Sequence, residues 1–248
     1  MARTGVGSGG DAERSAADRI IVALDVPKVV DAVALVERLR GSVDFFKVGL
    51  QLLLAPGNEA FVRSLVQSGR QVFLDYKFHD IPETVKQAVA RAADLGVGLL
   101  TVHATPQVMK AAVEGRGGSE YPRILAVTVL TSLSADDLKA MGHLQSPAEL
   151  VEMRAAQALA AGCDGVVASG HEAVSVRRLA AGKPFLIVTP GIRPASAALN
   201  DQQRVMTPAQ AIANGADYLV IGRPITNAPD PASAALAIAS EIEAALRT

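Results

Sequence analysis

Acidic and basic residues alternate in the segment Phe73-Leu74-Asp75-Tyr76-Lys77-Phe78-His79-Asp80. Residues two apart in a β-strand face the same side, so Asp75 and Lys77 are expected to project together from a strand end. Placing unlike charges there costs desolvation free energy, and a purely structural role for the strand end does not explain that cost. A lysine between carboxylates stays protonated, and such a cation can stabilise a carbanion and then donate its proton. The segment therefore predicts catalysis by Asp75, Lys77 and Asp80.

A second lysine, Lys47, comes near the end of the apolar run 43–48 and is predicted to join this group. Because opposite charges favour one another's ionised form, all four residues are expected to be charged near neutral pH. The alternative is a structural ring of ion pairs that closes the end of the fold, since structural ion-pair networks also shift pKa values.

Two glycine–arginine pairs follow later apolar runs, in Pro190-Gly191-Ile192-Arg193 and Ile221-Gly222-Arg223-Pro224. Backbone N–H groups beside glycine and planar guanidinium groups suit a phosphate dianion. The pattern predicts a phosphate site that uses Arg193, Gly222 and Arg223. The alternative is that the glycines only make turns and the arginines are solvated.

Short β-rich runs alternate along the chain with segments of helical periodicity. The predicted strands are 20–24, 43–48, 72–76, 99–103, 124–130, 165–168, 185–189 and 218–221. The clearest predicted helices are 29–39, 58–67, 81–95, 147–160 and 231–246. Eight β/α units in roughly 230 residues indicate an α/β fold, a closed (β/α)₈ TIM barrel. An open doubly wound sheet is the alternative, but no Gly-x-Gly-x-x-Gly follows the first strand.

No low-complexity linker interrupts the body, so residues 19–248 are predicted to form a single catalytic barrel domain. Residues 1–18 are glycine-rich and have no apolar period, which predicts a flexible tail. The carboxyl ends of barrel strands form one rim, where reactive groups collect. The polar residues at or just after the ends of predicted strands are Asp25, Lys47, Asp75, Lys77, His103, Thr131, Arg193 and Arg223.

Composition excludes several classes of protein. A formal net charge of −1 without a basic stretch gives no basis for binding nucleic acid or an anionic membrane. The longest apolar runs fall well short of the roughly 20 residues that span a bilayer. A single cysteine, Cys163, cannot form an internal disulfide, and no secretory signal precedes the fold, so a cytoplasmic location is expected. No His/Cys/Asp cluster has zinc spacing, so no metal site is predicted.

The segment 73–82 resembles the signature of the orotidine 5′-phosphate decarboxylase family. Further segments that resemble the family, in family order, are Val22-Ala23-Leu24-Asp25, Lys47-Val48-Gly49, Val127-Thr128-Val129-Leu130-Thr131-Ser132, Val188-Thr189-Pro190-Gly191-Ile192-Arg193-Pro194, Asp201-Gln202-Gln203-Arg204 and Ile221-Gly222-Arg223-Pro224. Together they cover about residues 19 to 247.

The motif Asp-x-Lys-x-x-Asp is shared with relatives on the same barrel, magnesium-dependent sugar-phosphate decarboxylases and aldolases. Those relatives typically offer a glutamate as metal ligand where this chain has Lys47, and a cation there repels Mg²⁺. Ile81, Pro82 and Thr84 after the motif, with Gln202 later in the chain, favour the orotidylate branch. A non-catalytic nucleotide-binding protein is a second rival, which the complete charged set argues against.

The resemblance implies conversion of orotidine 5′-monophosphate to uridine 5′-monophosphate and CO₂, in pyrimidine biosynthesis and without cofactor or metal. It implies that Lys77 protonates the pyrimidine after CO₂ leaves, with Asp75 beside the departing carboxylate. It also implies that Asp25 and Lys47 contact the ribose hydroxyls.

The resemblance also assigns the rest of the substrate. It implies that Thr131 and Ser132 contact the edge of the pyrimidine. It also implies that the phosphate is bound by Arg193, Gln202, Gly222 and Arg223. It places Asp80, Ile81 and Thr84 in a partner subunit's active site and so implies a homodimer. The loop 192–204 is predicted to act as a lid.

Overall fold

A computed structural model describes residues 14–194 and 205–247 of the chain. Its strands are β1 (Ile20–Ala23), β2 (Phe45–Gly49), β3 (Gln71–Phe78), β4 (Leu99–His103), β5 (Arg123–Val127), β6 (Gly165–Val167), β7 (Leu186–Thr189) and β8 (Tyr218–Ile221). They pair in parallel and in chain order, and β8 also pairs with β1, which closes the barrel. The predicted (β/α)₈ barrel is confirmed, and the open-sheet alternative is wrong.

Helices follow the strands and pack around the barrel. Those of the described residues are α1 (Val29–Arg38), α2 (Leu50–Leu53), α3 (Asn58–Gln67), α4 (Pro82–Asp94), α5 (Pro106–Arg116), α6 (Ala135–Ala140), α7 (Pro147–Ala161), α8 (Ala173–Ala180), α9 (Pro208–Ala213), α10 (Arg223–Thr226) and α11 (Pro231–Leu246). Proline at the first turn of α4, α5, α7, α9 and α11 fits these helix starts, because no intrahelical bond needs its missing N–H. Within the same residues, no helix is long and apolar enough to cross a membrane.

Side chains alternate between the two faces of the barrel wall, as strand geometry requires. One buried cluster fills the barrel interior, with members Ile21, Ala23, Phe45, Phe73, Leu99, Leu125, Leu186, Val188, Tyr218 and Val220. A larger cluster lies between the sheet and the helices. The inward positions that follow Phe45 and Phe73 on their strands are Lys47 and Asp75. The alternation that builds the apolar interior therefore also directs these charges to the mouth of the barrel.

Several strand ends differ from the prediction by one to three residues, and the largest differences at a carboxyl end are those of β5 and β3. Strand β5 stops at Val127, three residues before its predicted end, and the Thr128 carbonyl beyond it accepts from the Arg154 guanidinium. Strand β3 continues to Phe78, two residues past its predicted end. The extension carries Lys77, so it matters for the site.

At the amino-terminal ends of the strands, the barrel is stabilised by a buried aspartate. The Asp217 carboxylate accepts from the Arg177 guanidinium and from the backbone N–H of Ile187, both at 2.7 Å. Asp164 makes the matching pair of bonds, to Arg116 and to the N–H of Ile124. Each carboxylate ties a helix to the start of the preceding strand, which is a stabilising role expected of this face.

The segment just before β1 also contacts this face. The Arg14 guanidinium lies 3.5 Å from the Asp217 carboxylate and 5.0 Å from the centre of the Tyr218 ring. A short 3₁₀ helix, Ala17–Arg19, then leads into β1. Arg14, inside the predicted tail, thus already contacts the barrel. The first thirteen residues of that tail lie outside the described part of the chain.

Candidate active site

Four charged side chains form a continuous ion-pair chain at the carboxyl ends of the first three strands. The Lys47 ammonium lies 2.9 Å from Oδ1 of Asp25 and 3.5 Å from Oδ2 of Asp75. The Lys77 ammonium lies 2.9 Å from Oδ1 of Asp75. Each oxygen of the Asp75 carboxylate therefore faces one ammonium group. Of the predicted charged group Lys47, Asp75, Lys77 and Asp80, the first three meet here, and Asp25, predicted at the same rim, joins them.

The two most buried members are held in their charged forms. Burial alone lowers the pKa of Lys47, but the carboxylates of Asp75 and Asp25 outweigh it, and the net shift is upward. Burial alone raises the pKa of Asp75. The charges of Lys47 and Lys77 and a hydrogen bond from Thr101 outweigh burial, so the net shift of this pKa is downward. At neutral pH the site therefore contains a fixed carboxylate between two cations.

An irregularity in β3 places Lys77. The pairing of β3 with β4 runs from Leu74 opposite Leu100 to Phe78 opposite Val102, so the three residues 75–77 oppose only Thr101. Lys77 adopts a left-handed backbone with φ of 50°, which non-glycine residues rarely adopt. Strained backbone of this kind is concentrated at functional sites, where the surroundings enforce it.

Thr101 fills the gap in the ladder. Its buried hydroxyl accepts from the Lys77 backbone N–H at 3.0 Å and donates to Oδ1 of Asp75 at 3.0 Å. This residue is not among those predicted from the sequence. The signal available was a threonine at an inward position of the apolar strand Leu99–His103.

Gly49 is required by close packing at the same site. A Cβ built at this position lies 2.9 Å from the Lys47 ammonium and 3.4 Å from Oδ1 of Asp25. A side chain there must displace the ion pair, so glycine permits the approach of the two charges.

A cavity of about 740 Å³ opens above these residues. The predicted site residues that line it are Asp25, Lys47, Asp75, Lys77, Thr131, Ser132, Arg193, Gly222 and Arg223. Apolar side chains, among them Phe73, Val127, Val167 and Val220, form part of its wall. The cavity thus joins the charged group at β1–β3 to the glycine–arginine pairs that follow β7 and β8.

The arginine side of the cavity is built from two turns. Gly191 has φ of 77°, and Arg193 beyond it is buried. The Arg193 backbone N–H donates to the Met206 carbonyl at 3.0 Å, and its guanidinium donates to the Ile192 carbonyl at 2.9 Å. Arg223 is exposed at the first position of α10. Guanidinium groups from two separate turns can therefore face one anion in the cavity.

Asp80, Ile81 and Thr84 do not line the cavity of their own chain. All three are exposed at the start of α4, and Oδ1 of Asp80 accepts from the backbone N–H of Ile81 at 2.6 Å. Asp80 therefore does not join the ion-pair chain within one subunit. Gln202 and most of the proposed lid, residues 195–204, lie outside the described residues.

Two histidines lie beside the charged group. The rings of His79 and His103 are 5.0 Å apart, and burial, followed by the charges of His79, Arg154 and Lys77, lowers the pKa of His103. His103 therefore favours its neutral form at pH 7. Cys163 is buried with a pKa of about 12, as expected of an unreactive thiol.

Comparison with known proteins shows the family. Residues 18–238 match the model of the Orotidine 5'-phosphate decarboxylase / HUMPS family. Over 228 residues the chain is 54% identical to an orotidine 5′-phosphate decarboxylase of Rhodopseudomonas palustris, covering 92% of this chain and 95% of the relative. Over 235 residues it is 52% identical to one of Bradyrhizobium diazoefficiens, covering 95% and 98% of the two chains.

A solved structure agrees with these relatives. The crystal structure of orotidine 5′-phosphate decarboxylase from Lactobacillus acidophilus is 37% identical, with a TM-score of 0.78 over 91% of this chain and 99% of that one. The matched residues include every strand of the barrel and the whole ion-pair chain. The chain therefore belongs to the Orotidine 5'-phosphate decarboxylase / HUMPS family.

Proposed function

We propose that this chain catalyses the decarboxylation of orotidine 5′-monophosphate to uridine 5′-monophosphate and CO₂, using neither metal nor cofactor. The observation that carries the proposal is the Asp75 carboxylate held between the ammonium groups of Lys47 and Lys77 at the wall of a cavity that also holds two arginines. Relatives at 52–54% identity that carry this enzyme's name support the same activity.

The chemical difficulty is an electron pair without resonance support. When the bond between C6 and the carboxylate carbon breaks, CO₂ leaves and the pair stays on C6 in the ring plane, where the π system does not delocalise it. The Lys77 ammonium stabilises this pair and then transfers a proton to C6. A preorganised charge in a pocket that excludes water stabilises such a pair more strongly than the same charge in water.

Asp75 has two roles in this scheme. It fixes the Lys77 ammonium through the 2.9 Å ion pair, and it stands beside the substrate carboxylate. Two adjacent carboxylates repel each other, and this repulsion is relieved as CO₂ departs, which raises the energy of the ground state relative to the transition state.

The remaining cavity residues hold the rest of the nucleotide. Arg193 and Arg223, with backbone at Gly222 and the side chain of Gln202, bind the phosphate. Asp25 and Lys47 contact the ribose hydroxyls, and Thr131 and Ser132 meet the pyrimidine edge. Because the phosphate is remote from the scissile bond, its binding energy serves positioning and closure of the loop 192–204.

We further propose a homodimer with shared active sites, in the cytoplasm. Asp80, Ile81 and Thr84 are exposed and do not line the cavity of their own chain, so they are available to complete a partner's cavity. Apolar side chains near the same end of the barrel support an interface, since Leu54 is 91% exposed and Ile81 67% exposed.

Mixing two inactive variants tests the shared site. The Lys77→Ala and Asp80→Ala proteins are mixed, and their subunits are exchanged by mild unfolding and refolding. Each proposed site takes Lys77 from one subunit and Asp80 from the other. In a mixed dimer one site therefore contains both substitutions, and the other site contains neither. About a quarter of all sites then recover wild-type composition, so about a quarter of wild-type activity is expected. No recovery would contradict the shared site.

The overall reaction is tested by following the ultraviolet absorbance of orotidine 5′-monophosphate after adding purified protein in EDTA. The proposal expects loss of absorbance at the same rate with and without EDTA. Activity on a sugar phosphate that EDTA abolishes, with none on orotidylate, would favour the magnesium-dependent rival. That rival is disfavoured because the Lys47 ammonium already pairs with Asp25 and Asp75 and would repel Mg²⁺.

Tight binding of uridine 5′-monophosphate with no decarboxylation would instead indicate a non-catalytic nucleotide-binding protein.

A further inference from the structure

We propose that Thr101 is a positioning residue for the reaction, and that its hydroxyl sets where the Lys77 ammonium stands. The inference rests on the proposed function, in which Lys77 donates the proton. Thr101 is fully buried on β4 and does not line the cavity, so it acts through its neighbours and not by touching the substrate.

The hydrogen bonds of Thr101 have a defined direction. A backbone N–H only donates, so the Lys77 N–H at 3.0 Å uses the hydroxyl oxygen as its acceptor. The single hydroxyl proton then has two candidate acceptors, Oδ1 of Asp75 at 3.0 Å and the Leu74 carbonyl at 3.5 Å. The shorter contact, to a charged acceptor, is the stronger one. One hydroxyl therefore ties the backbone of the proton donor to its carboxylate partner.

The pairing of β3 with β4 explains why a side chain must accept the hydrogen bond from the Lys77 backbone N–H. Residues 75–77 oppose Thr101 alone, so the regular pairing of β3 and β4 is interrupted there. The Lys77 N–H needs an acceptor, because an unpaired donor away from water costs free energy. The Thr101 hydroxyl supplies that acceptor and compensates part of the strain of the left-handed backbone at Lys77.

The consequence for catalysis is geometric. Lys77 and Asp75 leave the backbone within three residues of each other, so a change of φ at Lys77 moves its ammonium relative to the carboxylate. A misplacement of about 1 Å at a reacting group costs on the order of 10²-fold in rate. Removing the hydroxyl is therefore expected to lower kcat while leaving the phosphate and ribose contacts in place.

The test compares Thr101→Val, which keeps the shape and loses the hydroxyl, with Thr101→Ser, which keeps the hydroxyl and loses the methyl group. For Thr101→Val we expect kcat to fall on the order of 10²-fold, with KM and uridine 5′-monophosphate binding changed by less than about threefold. For Thr101→Ser we expect kcat within about fivefold of wild type. Near-normal kcat in Thr101→Val, or equal losses in both variants, would overturn the proposal.

A second readout does not need turnover. Hydrogen exchange of the Lys77 backbone N–H, followed by NMR, is expected to be about tenfold faster in Thr101→Val and unchanged in Thr101→Ser. If the wild type does not decarboxylate orotidylate, the proposed function fails, and this exchange measurement still decides whether Thr101 holds Lys77. Equal exchange in the wild type and both variants would overturn the positioning role.

Discussion

The ammonium nitrogen of Lys77 lies 2.9 Å from Oδ1 of Asp75, two residues earlier on the same strand. In a regular strand this spacing puts both side chains on one face, and the local irregularity of β3 turns the Lys77 backbone left-handed as well. The proposed proton donor and its carboxylate partner are thereby fixed by a few residues of one strand, so substitutions here are expected to separate catalysis from binding.

Replacing Lys77 with alanine removes the cation proposed to stabilise the carbanion. We expect Lys77→Ala to lower kcat by at least about 10³-fold, since a preorganised charge at the reacting centre is lost. Binding of uridine 5′-monophosphate, measured by calorimetry, is expected to change by less than roughly tenfold. Lys183→Ala, at an exposed lysine before β7, serves as the control. Near-normal turnover in Lys77→Ala would remove Lys77 from its role.

Replacing Arg223 with alanine tests the phosphate site. Hydrogen bonds to charged groups contribute about 1.5–3 kcal/mol, so Arg223→Ala should weaken uridine 5′-monophosphate binding by roughly 10- to 100-fold. Binding of uridine, which has no phosphate, should change little. Arg178→Ala, at an exposed arginine of α8, is the matched control. Equal losses for nucleotide and nucleoside would contradict a phosphate contact at Arg223.

The sequence predicted most of the fold because its patterns are local. Strand β4 and helices α3 and α11 have their predicted bounds, since apolar periodicity, glycine stops and proline starts mark these ends. The rim position of Asp25, Lys47, Asp75 and Lys77 followed from the rule that polar residues collect at the carboxyl ends of barrel strands.

The parts that the sequence did not predict depend on pairing between strands. The extension of β3 exists only because three of its residues oppose one residue of β4, and periodicity within one strand carries no information about that. For the same reason the partners of Thr101 were missed, since strand alternation identifies an inward side chain but not the atoms that it meets. The hydrogen bond from Arg154 to the Thr128 carbonyl, just past the end of β5, likewise joins residues far apart in the chain.

The ion-pair chain predicts a plateau in the pH dependence of stability. The pKa of Asp75 is lowered from 3.8, so its contribution is present above 3.8 and lost as pH falls through the lower folded-state pKa. The pKa of Lys47 is raised from 10.5, so its contribution is complete below 10.5 and lost as pH rises through the higher folded-state pKa.

Wild type and Asp75→Asn should therefore differ in free energy of unfolding by a constant amount between about pH 5 and pH 9. The difference should shrink below 3.8, as Asp75 becomes protonated in the wild type. Urea unfolding followed by circular dichroism measures both curves. A difference that changes with a midpoint between about pH 6 and 7 would contradict the charge assignment.

Asp217 is expected to contribute to stability and not to catalysis. Asp217→Ala removes the buried carboxylate that accepts from Arg177 and from the Ile187 N–H, and a hydrogen bond to a charged group contributes about 1.5–3 kcal/mol, so a loss of about 3 kcal/mol or more is expected. Asp94→Ala, in an exposed pair with Arg91, should cost less than about 1 kcal/mol. Urea unfolding measures both losses, and KM of the folded Asp217→Ala protein should equal that of wild type. A shifted KM would show that this face communicates with the site.

The role of Lys77 is best tested by a crystal structure of the protein with uridine 5′-monophosphate bound, grown in the presence of Mg²⁺. We expect the Lys77 ammonium within about 3.5 Å of C6 of the pyrimidine, the contact distance needed for proton transfer. A Lys77 side chain directed away from the ring, or a divalent ion in the place of its ammonium group, would contradict the account.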